Sequence, residues 1–175
     1  MPALHIPAQG IVTVTGDMQD GVRNILHRLR PAAGNGLVVT LERQLANWRE
    51  QHPGIVLNGS LAIGLQPMAD ELAMAVVRIV QEGLTNVVRH AQASRVDLAI
   101  TRVAGCLLLT LTDNGRGSSG QPSAQAGCGL GLAGMGERIA VLGGHLQFEQ
   151  PVGGGFRIVA RLPDAAPHYA PEEFA

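Results

Sequence analysis

Apolar residues recur at three- and four-residue steps through Leu72, Val76, Val80, Leu84, Val87 and Ala91. That spacing predicts an amphipathic helix over 70–91, with Asp70 as its N-cap. Two shorter helical patterns precede it. Val22, Ile25, Leu26 and Leu29 share a face over 21–30, where Pro31 stops the helix. Leu37, Leu41, Leu45 and Trp48 form the stripe of another over 37–50, closed by the turn His52-Pro53-Gly54. Residues 55–63 carry enough Val, Leu and Ile for a strand. Beyond the long helix the period changes to two. Val96, Leu98 and Ile100 alternate with polar neighbours over 95–101, and Leu107, Leu109 and Leu111 share a face over 106–112. Ala104-Gly105 between them makes the pair a hairpin. A last helix is predicted over 132–142 and is ended by Gly143-Gly144. Strands over 146–150 and 156–162 flank a glycine turn at 152–155.

Strands at the start, middle and end, with helices between them, predict the α+β class. The expected architecture is a two-layer α/β sandwich: a mixed, mostly antiparallel sheet of about five strands with helices on one face. Its other face is either covered by the N-terminal segment or left to solvent. The chain divides into an N-terminal extension (1–20), a helical linker segment (21–53), a main domain (54–163) and a flexible tail (164–175). In the extension, Ile11-Val-Thr-Val-Thr15 reads as a short strand or an ordered tail.

Composition narrows the chemistry. The 175 residues are 46% hydrophobic and 15% charged, a globular balance, with a net charge of −1 that argues against a nucleic-acid partner. All 13 basic residues are Arg, and without a Lys the chain cannot form a P-loop. Cys106 and Cys128 lack metal-ligand spacing and suit a reduced, cytoplasmic setting, with Cys106 expected in the core. No run of 18 apolar residues and no signal peptide is visible, so no direct membrane contact is expected, although the domain could belong to a membrane-anchored receptor.

Three stretches carry candidate chemistry. On the long helix Glu82, Asn86 and His90 stand four residues apart, beside Arg89. Taken alone, that stripe also describes a solvated helix face. The strand over 106–112 runs into Asp113-Asn-Gly-Arg-Gly117, and Gly127-Cys-Gly-Leu-Gly-Leu-Ala-Gly-Met135 then opens a helix. A carboxylate at the end of a buried strand can accept a hydrogen bond from the exocyclic amine of adenine and would repel the oxygen of guanine. A strand-ending turn is the alternative for Asp113-Asn114-Gly115. Gly115 and Gly117 would let backbone pass close to a base. Asn86 offers a neutral oxygen of the kind Mg²⁺ accepts alongside phosphates and waters. Arg89 and His90 could neutralise phosphate charge, and His90 could equally be a helix-end histidine near the dipole. Gly127, Gly129 and Gly131 fall where a helix N-terminus would turn free N–H groups toward phosphates.

In this order and spacing, the three blocks resemble the nucleotide-binding domain of sensor histidine kinases. That domain belongs to the wider ATPase group shared with gyrase, the Hsp90 chaperones and the mismatch-repair ATPases, with a Bergerat-type fold. The resemblance implies ATP and Mg²⁺ as cofactors, Asp113 as the adenine-reading residue, and Asn86 as the ligand of the Mg²⁺ that bridges the phosphates. It gives Glu82 the catalytic role of orienting a metal-bound water or assisting proton transfer. It makes Gly127, Gly129, Leu130, Gly131 and Leu132 part of a nucleotide-ordered lid. Leu29-Arg30-Pro31, Gly36-Leu37 and Trp48 further resemble the link to the dimerisation helices in kinases that partner helix-turn-helix response regulators.

The chain departs from this pattern at three places. Phe156 stands where relatives often have Thr supporting the adenine site, and Gly136 where they commonly have Arg. No phosphoacceptor His is recognisable: His5 precedes Ile6-Pro7, and His27 precedes Arg28. The implied activity is therefore transfer of the γ-phosphoryl group of Mg-ATP to a histidine outside this chain. The partners would be histidine-bearing dimerisation helices and a response regulator. A regulatory module without kinase activity and an anti-sigma-type serine kinase are the alternatives.

Overall fold

The computed structural model describes residues 35–117 and 130–164. The expected 1–20 extension, the helix over 21–30, the loop over 118–126, Gly127, Cys128, Gly129 and the tail beyond Asp164 lie outside the described residues.

Helix α1 (Asn35–Gln51) leads through a turn into strand β1 (Val56–Ala62). Helix α2 (Asp70–Asn86) continues directly into a π-helical segment, Val87–Ala91. The hairpin β2 (Arg95–Val103) and β3 (Cys106–Asp113) follows, then α3 (Leu130–Val141), β4 (His145–Glu149) and β5 (Phe156–Pro163). The sheet order is β1-β2-β3-β5-β4, with β1 parallel to β2 and every other pair antiparallel. This is the α+β class expected from the sequence, and its three described helices fall where helices over 37–50, 70–91 and 132–142 were expected.

Alternation along the strands sorts the sheet into two faces. Val96, Leu98 and Ile100 of β2, Leu107, Leu109 and Leu111 of β3, and Ile158, Ala160 and Leu162 of β5 are all buried. They meet Val76, Ile79, Val80 and Leu84 of α2 and Ile139 of α3 in one core. Burial of each Val, Leu or Ile side chain among them stabilises the fold by roughly 1.5–3 kcal/mol. Gly83 lets α2 lie close: a Cβ there would stand 2.9 Å from Leu111 Cδ1 and 3.1 Å from Ile158 Cδ1.

Helix α1 packs at the β1 end of the sheet, burying Leu37, Leu41, Leu45 and Trp48 as their spacing predicts. The Arg49 Nε–H donates to the Leu57 carbonyl of β1 at 3.0 Å. At the far end of the hairpin, Ala104 (φ 48°) and Gly105 (φ 73°) make the tight turn. There the largely buried Arg102 and Asp164 side chains pair at 2.6 Å, and the Asp164 N–H donates to the Gly105 carbonyl at 2.8 Å.

Three expectations need correction. Asp70 is the first residue of α2 and not its N-cap; Ala69 takes the cap position, without a side-chain cap bond. An acidic residue in the first turn still opposes the positive end of the helix dipole. The helix over 70–91 is α-helical only to Asn86, because i→i+5 bonding replaces the regular pattern over Val87–Ala91. Cys106 is half-buried instead of sitting in the core, since it opens β3 beside the hairpin turn.

Candidate functional site

Strand β3 ends on Asp113, which follows Leu107, Leu109 and Leu111 onto the helix-facing side of the sheet. A carboxylate thus occupies a place where the pattern calls for an apolar side chain. It is 4% exposed and, among the described residues, the one charged residue buried as a whole, backbone included. Desolvation pushes its pKa above the ordinary value of 3.8, opposed by backbone N–H groups of Gly115 and Phe156. The Gly115 N–H donates to Asp113 Oδ1 at 2.8 Å. Four lone-pair sites on a carboxylate leave room for a further donor.

The backbone closes tightly around this group. A Cβ on Gly115 would stand 2.1 Å from the Ala91 carbonyl oxygen, and one on Gly155 (φ +90°) 2.0 Å from the Asp113 carbonyl oxygen. Neither position can take a larger residue without the chain moving. Gly117 (φ +69°) fits against Gln150 and the Gly155 carbonyl. The Arg116 N–H donates to Ala91 O at 2.9 Å. Asp113, Gly115 and Gly117 therefore share one cradle with the end of the π segment and the glycine turn before β5.

Asn114, unassigned by the sequence, fixes the loop from its other side. Its Oδ1 accepts the N–H groups of Ser94 and Arg95 at 3.0 and 2.9 Å, and its Nδ2 donates to Ser94 Oγ at 3.0 Å. Asn side chains commonly bond backbone close to them in sequence, but these partners lie 20 and 19 residues away, so no local pattern signals the contact. Gly155 was legible only as a turn residue, and its approach to Asp113 requires the β3–β5 register.

Glu82 and Asn86 are half-buried on α2, one regular turn apart and flanking the sheet contact at Gly83. Arg89 and His90 are exposed on the π segment, where the wider turn shifts His90 from the regular four-residue stripe. Gln92, in the left-handed conformation (φ 49°, ψ 37°), ends that segment. Leu130, Gly131 and Leu132 form the first turn of α3, so the glycine block opens the helix two residues before the expected start. The donor set includes one neutral amide oxygen and one nearby carboxylate on α2. Hard oxygen donors in that number suit Mg²⁺ completed by phosphates and waters.

The family model described as histidine kinase-, DNA gyrase B- and HSP90-like ATPase matches residues 71–166. The chain is 35% identical over 129 residues to the signal transduction histidine-protein kinase/phosphatase UhpB of Salmonella typhimurium, covering 73% of this chain and 25% of that protein. It is 31% identical over 157 residues to the sensor histidine kinase YxjM of Bacillus subtilis, covering 89% of this chain and 37% of that one. It thus spans from a quarter to just over a third of these relatives' length. Among solved structures, the histidine kinase domain of the Erythrobacter litoralis EL346 blue-light activated histidine kinase has the same fold. The TM-score is 0.66 at 21% identity, covering 84% of this chain and 73% of that one. The mycobacterial sensor histidine kinase MprB gives a TM-score of 0.55 at 23% identity, with 73% and 93% covered. The family match runs from the start of α2 to the end of β5 and encloses the whole cradle around Asp113. On that match, this chain belongs to the histidine kinase-, DNA gyrase B- and HSP90-like ATPases.

Proposed function

We propose that this chain is the catalytic, ATP-binding domain of a two-component sensor histidine kinase. It would pass the γ-phosphoryl group of Mg-ATP to a histidine outside these 175 residues, for relay to a response regulator. The observation that carries the reading is the buried Asp113 carboxylate, set in a glycine cradle with acceptor capacity left on its oxygens.

The exocyclic amine of adenine is the donor that this carboxylate suits, and the guanine oxygen in its place would be repelled. From α2, the amide oxygen of Asn86 would hold Mg²⁺, which when bound would supply charge neutralisation at the phosphates. Glu82, one turn earlier, is assigned to orienting the reacting groups or receiving a proton. Arg89 and His90, both exposed, are assigned to neutralising phosphate charge. Gly127, Gly129, Leu130, Gly131 and Leu132 are assigned to the lid at the N-terminus of α3, whose free N–H groups suit an anion. The transfer breaks the bond between the γ-phosphorus and its bridging oxygen, forms one to an imidazole nitrogen and releases ADP. Positioning and electrostatics supply most of the catalysis.

The partners are histidine-bearing dimerisation helices and a response regulator, with no nucleic acid and no direct membrane contact by this domain. We place the domain in the cytoplasm. Among the described residues, no helix is long and apolar enough to cross a membrane. The similarity to UhpB and YxjM, both named as histidine kinases, favours this reading over a kinase-inactive module or an anti-sigma serine kinase.

Calorimetric titration of ATP, with and without Mg²⁺, into the protein and into Asp113→Asn tests it. Saturable binding that is strongly reduced by Asp113→Asn is expected. An unaltered protein that binds no ATP would remove the kinase assignment.

A further inference from the structure

Beside Asp113 lies an aromatic pair that the nucleotide reading does not use. Phe148 and Phe156 are stacked, with ring centroids 5.7 Å apart and planes inclined by 18°. Phe156 stands directly across the ladder from Asp113, and its backbone N–H helps hold that carboxylate. Alternation along β5 puts Phe156 on the side of Ile158, Ala160 and Leu162, the same helix-facing side that Asp113 takes on β3. Phe148 pairs with Ile158 across the β4–β5 ladder and follows it to that side.

The burial of these residues changes along β5. Ile158 is 1% exposed, whereas Phe156, at the strand's start, is only half-buried although it packs on the core. The apolar layer is therefore open at Phe156, next to the carboxylate.

We propose that Phe148 and Phe156 form an aromatic shelf on which the adenine ring stacks, with Phe156 touching the base and Phe148 positioning its ring. The proposal rests on the nucleotide reading above and deepens it. A shelf of this kind contributes affinity without choosing among bases, because every base presents a π-face. Selection for adenine is left to Asp113. Phe156, which stands in place of the hydroxyl residue suggested by the resemblance, exchanges a polar contact for a stacking one.

The test is titration of ATP and of ADP into the unaltered protein and into Phe156→Leu, Phe156→Tyr and Phe148→Leu, with thermal melts confirming folding. Phe156→Leu is expected to weaken both nucleotides by the same factor, about tenfold, as loss of base stacking does. Phe156→Tyr keeps the ring and should bind within about twofold of the unaltered protein. Phe148→Leu should fall between them. If Phe156→Leu does not fold, Phe156→Met carries the same comparison. Equal affinities for the Leu (or Met) and Tyr variants would overturn the shelf, as would a loss confined to ATP. Failure of the unaltered protein to bind either nucleotide would overturn the nucleotide reading itself, a result distinguishable from failure of the shelf alone.

Discussion

The carbonyl oxygen of Ala91 accepts the N–H of Arg116 at 2.9 Å, fastening the end of the π segment to the loop that follows Asp113. This contact joins the two halves of the proposed site: Asn86, immediately before the π segment, and Asp113, three residues before Arg116. It forms only because residue 115 has no side chain.

Gly115→Ala would force the Ala91 carbonyl and the Asp113 loop apart, since the new Cβ would stand 2.1 Å from that oxygen. Urea denaturation should show a loss of about 2–3 kcal/mol, the range of overpacked sites that must shift backbone. ATP binding should weaken with it.

For Asp113, burial raises the folded-state pKa above 3.8. The folded protein therefore holds this proton more tightly than the unfolded chain. The stabilisation is fully present below about pH 3.8 and is lost as pH rises through the folded value. Asp113→Asn does not titrate. In melts without nucleotide, its melting temperature should gain on that of the unaltered protein as pH is raised through this window. A difference that does not change with pH would contradict the assignment. The same substitution should strongly weaken ATP binding, separating stability from function at one atom.

Asn86→Ala removes the amide oxygen assigned to Mg²⁺. ATP affinity, measured by calorimetry with and without Mg²⁺, should lose its dependence on the ion while the melting temperature changes little, because the side chain is only half-buried. Retained Mg²⁺ dependence would move the ligand role to another residue.

Asn114→Ala deletes three hydrogen bonds to Ser94 and Arg95. Because the residue is exposed and water can replace part of them, the expected cost is about 1–2 kcal/mol in urea denaturation.

Gly136→Ala should act in the opposite direction. A Cβ at Gly136, within α3, meets nothing within 4 Å. Replacing a helix-interior glycine by alanine should therefore stabilise by roughly 0.5–1 kcal/mol. ATP affinity should be unchanged.

The strands were legible because a period of two survives in Val96, Leu98 and Ile100 and in Leu107, Leu109 and Leu111, all buried as their pattern requires. The position of Asp113 at the end of such a run, followed by two glycines, was legible for the same reason. The change of winding after Asn86 was not, since hydrophobic spacing through Val87 and Ala91 fits a regular helix as well as one with a wider last turn. The closeness of Gly155 to Asp113 and of Ala91 to Gly115 was equally hidden. Those are backbone contacts between segments distant in sequence, and no side-chain pattern records them.

The Arg49 side chain rests on the outward carbonyl of Leu57, on the strand that borders the sheet. A strand arriving from another molecule would have to displace that guanidinium before it could extend the ladder there. Growth of the sheet at this border is thereby opposed, which guards against edge-to-edge aggregation on the β1 side.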